Sequence, residues 1–233
     1  MDPPGRLLAS GRDSDIFDLG TGRVLRRAKQ RRSMEREAKT MEHVRAAGYP
    51  VPQVFDLSDD GTDLVMELAE GPSMLADLSS RPWRLGRHAA TLAGLHDRLH
   101  AVGAPQWLGP APGGEGESLV HLDLHPLNVM LGTDGPVVID WANAARGRAG
   151  ADVAVSWLLM ATATIPGSRL QASLIGRFRS SLVRSFLGHF DLAIVRDELG
   201  DVVEWKCRDE NMSPSEQARM RALARAEARS PAR

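Results

Sequence analysis

The sequence predicts an α+β fold in two parts: a small antiparallel sheet with one helix over residues 1–71, then a mainly helical part over residues 72–233. Two features of its patterning carry this reading. Up to Leu68 the apolar residues fall in short runs separated by turn residues, whereas after Gly71-Pro72 they recur at the 3.6-residue period of helices. The length of 233 residues and a hydrophobic content of 42% suffice for two lobes with cores of their own.

The strands are expected at Leu7-Leu8-Ala9, Ile16 to Leu19, Arg23 to Arg26, Val51 to Leu57 and Asp63 to Leu68. Gly20-Thr21-Gly22 and Asp59-Asp60-Gly61 supply tight turns, because Gly and Asp tolerate positive φ. Ser33 opens the intervening helix. Glu35 and Glu37 sit near its positive end, Met34, Met41 and Val44 form an apolar stripe, and Gly48-Tyr49-Pro50 closes it. In the second part, Leu85, Leu92, Leu95 and Leu99 place one face of a helix from about Pro82 to Val102 in a core. Gly103 to Gly116, rich in Pro and Gly, reads as a loop. Further helices are expected near Ala151 to Thr164, Ser168 to Leu187, Asp191 to Lys206 and Ser213 to Arg229, the last facing solvent.

Composition excludes several function classes. The formal net charge is -1, so no global field favours nucleic acid or an anionic membrane. The basic run from Arg23 to Arg32 has no interleaved aromatics and reads as a solvated strand end and loop. A single cysteine, Cys207, excludes an internal disulfide or a multi-cysteine metal site and fits a reducing cytoplasm. The start, Met1-Asp2-Pro3-Pro4-Gly5, shows no signal-peptide pattern, and no window is apolar enough to span a membrane. A cytoplasmic protein is expected.

The chemistry-bearing block is His121-Leu122-Asp123-Leu124-His125-Pro126-Leu127-Asn128, followed by Val138-Ile139-Asp140-Trp141. Phosphoryl transfer needs a carboxylate near the acceptor hydroxyl, oxygen ligands for the metal ions that bridge the phosphates, and a cation to orient the nucleotide. The spacing Asp123-x-x-x-x-Asn128 equals that of the kinase catalytic loop. Asp140 follows the apolar Val137-Val138-Ile139, expected as a buried strand that projects the carboxylate from its end. A zinc reading of His121, Asp123 and His125 leaves Asn128 and Asp140 unexplained. His125 reads equally as a brace or as a neighbour of the substrate.

This block resembles the aminoglycoside phosphotransferase and choline kinase family, whose loop reads roughly His-Gly-Asp-x-His-x-x-Asn and whose metal strand reads Ile-Asp-Trp or Ile-Asp-Phe. The resemblance implies a protein-kinase-like two-lobed fold, with Asp123 as catalytic base and Asn128 and Asp140 as magnesium ligands. Arg146-Gly147 and Asp152-Val153-Ala154 are similar to a further family segment, in which the Asp braces the catalytic loop. By the same resemblance, Glu37 pairs with the strand-three cation, here Arg26 where most kinases carry Lys. Gly11 and Ser14 lie where the phosphate-covering loop belongs, and Glu67 and Leu68 where the hinge meets the purine. The implied reaction moves the terminal phosphate of ATP or GTP, with Mg2+, to a hydroxyl of a small molecule. The alternative is a nucleotide-binding pseudoenzyme or regulatory module on the same fold; the intact Asp123, Asn128 and Asp140 stand against it. A protein kinase is disfavoured, because Asp152 follows Asp140-Trp141 too closely to leave an activation segment.

Overall fold

The computed structural model describes residues 5–11, 13–30, 32–162, 169–209 and 212–229, without the side chains of 169–176. The described chain forms two compact units. One comprises the segment up to Ser73 together with Asn128–Ala144; the other comprises Met74–Leu127 and the segment from Ala145 onward.

The first unit is built on five antiparallel strands: β1 (Arg6–Ser10), β2 (Ser14–Gly20), β3 (Arg23–Ala28), β4 (Val54–Leu57) and β5 (Asp63–Glu67). They lie in the order β1-β2-β3-β5-β4. The β2–β3 turn is the expected one, with Gly20, Thr21 and Gly22 at φ 75, 55 and 74°. Its glycines carry that conformation without a steric penalty. β4 starts three residues later than expected, since Pro50 and Pro52 have no N–H to give to a ladder.

Helix α1 (Glu35–Ala46) buries Glu37, Ala38, Thr40, Met41 and Val44. It begins two residues after Ser33, whose Oγ accepts the Glu35 N–H at 3.2 Å. Its end is set by Gly48 at φ 78°, which lets the Tyr49 N–H reach back to the Val44 carbonyl at 3.0 Å. Asn128–Ala144 adds a hairpin of β6 (Val129–Gly132) and β7 (Gly135–Val138) to this unit. The Val138 N–H donates to Pro50 O at 2.9 Å and the Leu131 N–H to Pro72 O at 2.9 Å, fastening the hairpin. The expectation of a buried strand at Val137-Val138-Ile139 needs correction: the strand ends at Val138, the only buried residue of the three. A two-stranded ribbon has one covered face, so its residues are not buried on both sides.

The second unit holds α2 (Met74–Ser80), a 3-10 turn at Pro82–Arg84, and α3 (Leu85–His100). A short pair follows, β8 (Ser118–Val120) with β9 (Ala145–Gly147). Helices α4 (Ala149–Thr162), α5 (Arg169–Leu187), α6 (Leu192–Lys206) and α7 (Pro214–Glu227) complete it. Along α3, Leu92, Leu95 and Leu99 are fully or almost fully buried, as their spacing implies, whereas Leu85, in the first turn, is only partly covered. They pack in a core with Val155, Leu158, Phe186, Val202 and Val203, each such side chain contributing roughly 1.5–3 kcal/mol. α4 is buried on nearly all sides, from Gly150 through Leu158 without a break. α7 buries only Met220 and opens with a Ser213–Glu216 capping box. Among the described residues, no helix is long and apolar enough to cross a membrane.

Candidate active site

In the first unit, β3 presents Arg26 and α1 presents Glu37, and their side chains meet at 2.5 Å between Nη1 and Oε1. The same guanidinium reaches two further neighbours. Its Nε donates to Ser14 Oγ at 3.0 Å, and its Nη2 lies 3.4 Å from Asp140 Oδ1. Arg26 and Glu37 are shielded, at 12% and 5% side-chain exposure, whereas Asp140 is 46% exposed. Burial acts to lower the Arg26 pKa, but the charges of Glu37 and Asp140 outweigh it and hold the guanidinium above its ordinary value. Burial raises the pKa of Glu37; Arg26 opposes that shift and Asp140 adds to it. The Trp141 N–H at 3.2 Å gives Glu37 a second donor.

Asp140 stands at φ 67°, a left-handed conformation that a non-glycine residue adopts at a cost of roughly 1–2 kcal/mol. The flanking residues impose it. Trp141 is buried, its Nε1–H donates to Val138 O at 3.0 Å, and its ring meets Tyr49 edge-on at 5.6 Å between centroids. The Ile139 N–H donates to Asn128 O at 3.0 Å, which sets the Asn128 and Asp140 segments side by side.

The turn at Gly11 and Ser14 closes through the Gly11 N–H and Ser14 O at 2.9 Å. Lys29 ties it down, donating to Gly11 O at 2.7 Å and to Ser10 Oγ at 2.8 Å, a role not expected from the residues around it. At the end of β5, the Glu67 N–H donates to Gln53 O and the Leu68 N–H to Gly22 O, both at 2.8 Å. Both N–H groups are thus engaged within the protein.

Asp123 belongs to the second unit and is 19% exposed at its side chain. His125 Nδ1 accepts the Leu127 N–H at 3.3 Å, so its proton sits on Nε2, which lies 3.7 Å from Asp123 Oδ1. The loop backbone on either side of Asp123 is pinned from α4. The Leu122 N–H, at a residue with φ 59°, donates to Asp152 Oδ1 at 2.7 Å, and Ser156 Oγ donates to Leu124 O at 2.6 Å. Asp152 was expected from the sequence; Ser156 was missed, although it lies one helical turn further on. His96 and His100, also missed, approach Asp152 Oδ2 from α3 at 3.3 and 2.9 Å. Burial acts to raise the Asp152 pKa, but the hydrogen bond from His100 and the nearby His96 hold it well below the usual range.

Of the residues read from the sequence, Arg26, Glu37, Ser14 and Asp140 thus form one contact group, with Asn128 on the adjoining segment. Gly11 reaches the group only through the turn to Ser14. Glu67 and Leu68 lie at the end of β5, and Asp123 lies in the other unit, five residues before Asn128 in the chain.

A sequence profile described as the phosphotransferase enzyme family matches residues 4–116 and 106–184. The chain belongs to this family. None of the curated proteins matches it. Among solved structures, a gentamicin complex of APH(2")-IIa is similar with a TM-score of 0.64 at 16% identity, over 95% of this chain and 89% of that one. A choline/ethanolamine kinase family protein from Mesorhizobium loti gives a TM-score of 0.62 at 14% identity, over 98% and 89%. The apo form of a thermostable mutant of aminoglycoside phosphotransferase APH(4)-Ia gives 0.59 at 16% identity, over 96% and 94%. The fold of this chain, a sheet lobe and a helical lobe, is therefore that of these structures, and the family it belongs to is one of phosphotransferase enzymes.

Proposed function

We propose that this phosphotransferase moves the terminal phosphoryl group of ATP or GTP to a hydroxyl of a small molecule in the cytoplasm. The sheet lobe holds the nucleotide and the helical lobe receives the acceptor. The observation that carries this reading is the Arg26 guanidinium, which engages Glu37 and Asp140 at once although Asp140 is 114 positions away in the chain. Three residues named for phosphate handling in the sequence share one contact group. That similar folds were solved with ATP and streptomycin, and with AMP-PNP and hygromycin B, supports a nucleotide donor and a polyfunctional acceptor.

Asp123 accepts the acceptor's hydroxyl proton as the phosphoryl group moves. The Nε2–H of His125 faces that carboxylate at 3.7 Å. Arg26, steadied by Glu37, orients phosphate oxygens; as a planar fork it can hold two of them, where a lysine would hold one point of charge. The side-chain oxygens of Asn128 and Asp140 suit a hard divalent cation, and Asp140 keeps much of its carboxylate exposed beside Arg26. Magnesium held there would neutralise charge on the phosphates.

The test is nucleotide-dependent phosphorylation of hydroxylated metabolites and aminoglycosides by purified protein, followed by mass spectrometry. Metal-dependent product formation that disappears in Asp123→Ala and in Asp140→Ala, with folding retained, supports the reading. Full turnover in both variants refutes the site. Nucleotide binding without product from any acceptor points to a regulatory module instead.

A further inference from the structure

Beneath the catalytic loop lies a polar cluster that the phosphoryl-transfer scheme does not use: His96 and His100, one turn apart on α3, facing Asp152 and Ser156, one turn apart on α4. His96, Asp152 and Ser156 are fully buried. Counting donors and acceptors fixes most of its protons. Ser156 Oγ sits 2.6 Å from Leu124 O, a pure acceptor, so the hydroxyl proton is committed there. His96 Nε2, 3.1 Å from the same Oγ, must then supply its own hydrogen. If that were its only proton, the opposite nitrogen, Nδ1, would turn a bare lone pair on an ionised carboxylate 3.3 Å away. His96 Nδ1 has no conventional hydrogen-bond partner, and Asp152 Oδ1 is already occupied by the Leu122 N–H.

We infer that His96 carries protons on both ring nitrogens and, with His100, acts as a positioning residue for the catalytic loop. As an imidazolium it balances the charge of Asp152, while neutral His100 donates its Nε2–H to Asp152 Oδ2 at 2.9 Å. The cluster is then neutral overall, with the His96 charge facing Asp152 Oδ2 across 3.3 Å. Phe186 of α5 and Phe190 beyond its end pack against the His96 ring at 5.4 and 6.0 Å between centroids, one tilted and the other edge-on. Through Asp152 and Ser156 the two histidines fix the backbone on both sides of Asp123, at Leu122 and Leu124. The left-handed φ of Leu122 makes this support necessary, since the loop would relax if its N–H lost the carboxylate.

The catalytic part of this inference rests on the proposed phosphotransferase reading; the protonation part does not. Nitrogen-15 histidine spectra of the full chain, with His96 assigned through His96→Gln, test the latter. Both His96 nitrogens are expected in the protonated range at neutral pH, with His100 in its Nε2–H form. A bare nitrogen on His96, or a stoichiometric metal ion in elemental analysis of the purified protein that is lost in His100→Ala, overturns it. For the positioning role, His100→Ala is expected to lower kcat about tenfold or more while the nucleotide KM stays within about twofold, with recovery in His100→Gln, whose amide restores the donor. Unchanged kcat in His96→Gln and His100→Ala overturns that role. If no acceptor is ever phosphorylated, the spectra still decide the protonation of His96, so the two failures are distinct.

Discussion

Arg26 Nη2 and Asp140 Oδ1 lie 3.4 Å apart, joining the third strand of the sheet to the second residue after the β6–β7 hairpin. The contact is too long to be strong, and its partner is half exposed. Its importance is geometric: the guanidinium that holds Glu37 on one side is aimed at the proposed metal ligand on the other.

Replacing Arg26 with Ala therefore leaves Glu37 as an unpaired carboxylate at 5% exposure. The variant is expected to lose about 3–5 kcal/mol of stability, read from urea unfolding midpoints. Arg26→Lys retains the charge and loses most of the bidentate reach, so stability should fall much less while the nucleotide KM rises. Equal stability of wild type and Arg26→Ala would contradict the buried pairing.

At Asp123, exchange for Asn removes the proton acceptor and preserves the shape. Turnover is expected to drop about 10²- to 10⁴-fold, with nucleotide affinity nearly unchanged in calorimetric titration. A parallel loss of affinity would show that Asp123 serves binding instead.

Asp77 gives a pH dependence with a definite sign. His88, 2.7 Å away, together with Arg81 and Arg84, lowers its pKa to about 2. Because the folded value lies below the unfolded one, the stabilisation is fully present above the ordinary aspartate range of about 4 and is lost as pH falls towards 2. Asp77→Asn should melt several degrees below wild type at pH 7, and the gap should close across that acid window. A constant gap would mean that packing, not ionisation, is responsible.

Gly71 tests the joint at the end of the sheet lobe. It adopts φ +93°, and a Cβ there would come within 2.1 Å of Leu131 O, a backbone atom held by the hairpin. Gly71→Ala is expected to destabilise the protein by more than about 1 kcal/mol in chemical denaturation.

Much of this architecture was legible in the sequence because it depends on local signals. The Gly-rich β2–β3 turn, the leucine period of α3 and the spacing from Asp123 to Asn128 each reflect a constraint carried by neighbouring residues. Helix α2 escaped notice because seven residues with two buried apolar positions, Met74 and Leu78, are too few to define a period. The short strands β8 and β9 escaped for the same reason. In the site, Arg26 and Glu37 were legible as a pair through the family resemblance, since neither residue marks the other by its neighbours in the chain. Lys29, Ser156, His96 and His100 were not. Their roles come from contacts across 18 to 60 positions, and nothing adjacent to them in the chain indicates a partner.

Helix α4 anchors the loop through Asp152 and Ser156 and is itself buried from Gly150 through Leu158. Few of its positions can accept a change of size without disturbing the core, and a shift of the helix would carry the loop with it. Mutational freedom is therefore distributed unevenly. Substitutions are expected to be tolerated best on outer helices such as α7, where Met220 is the buried residue.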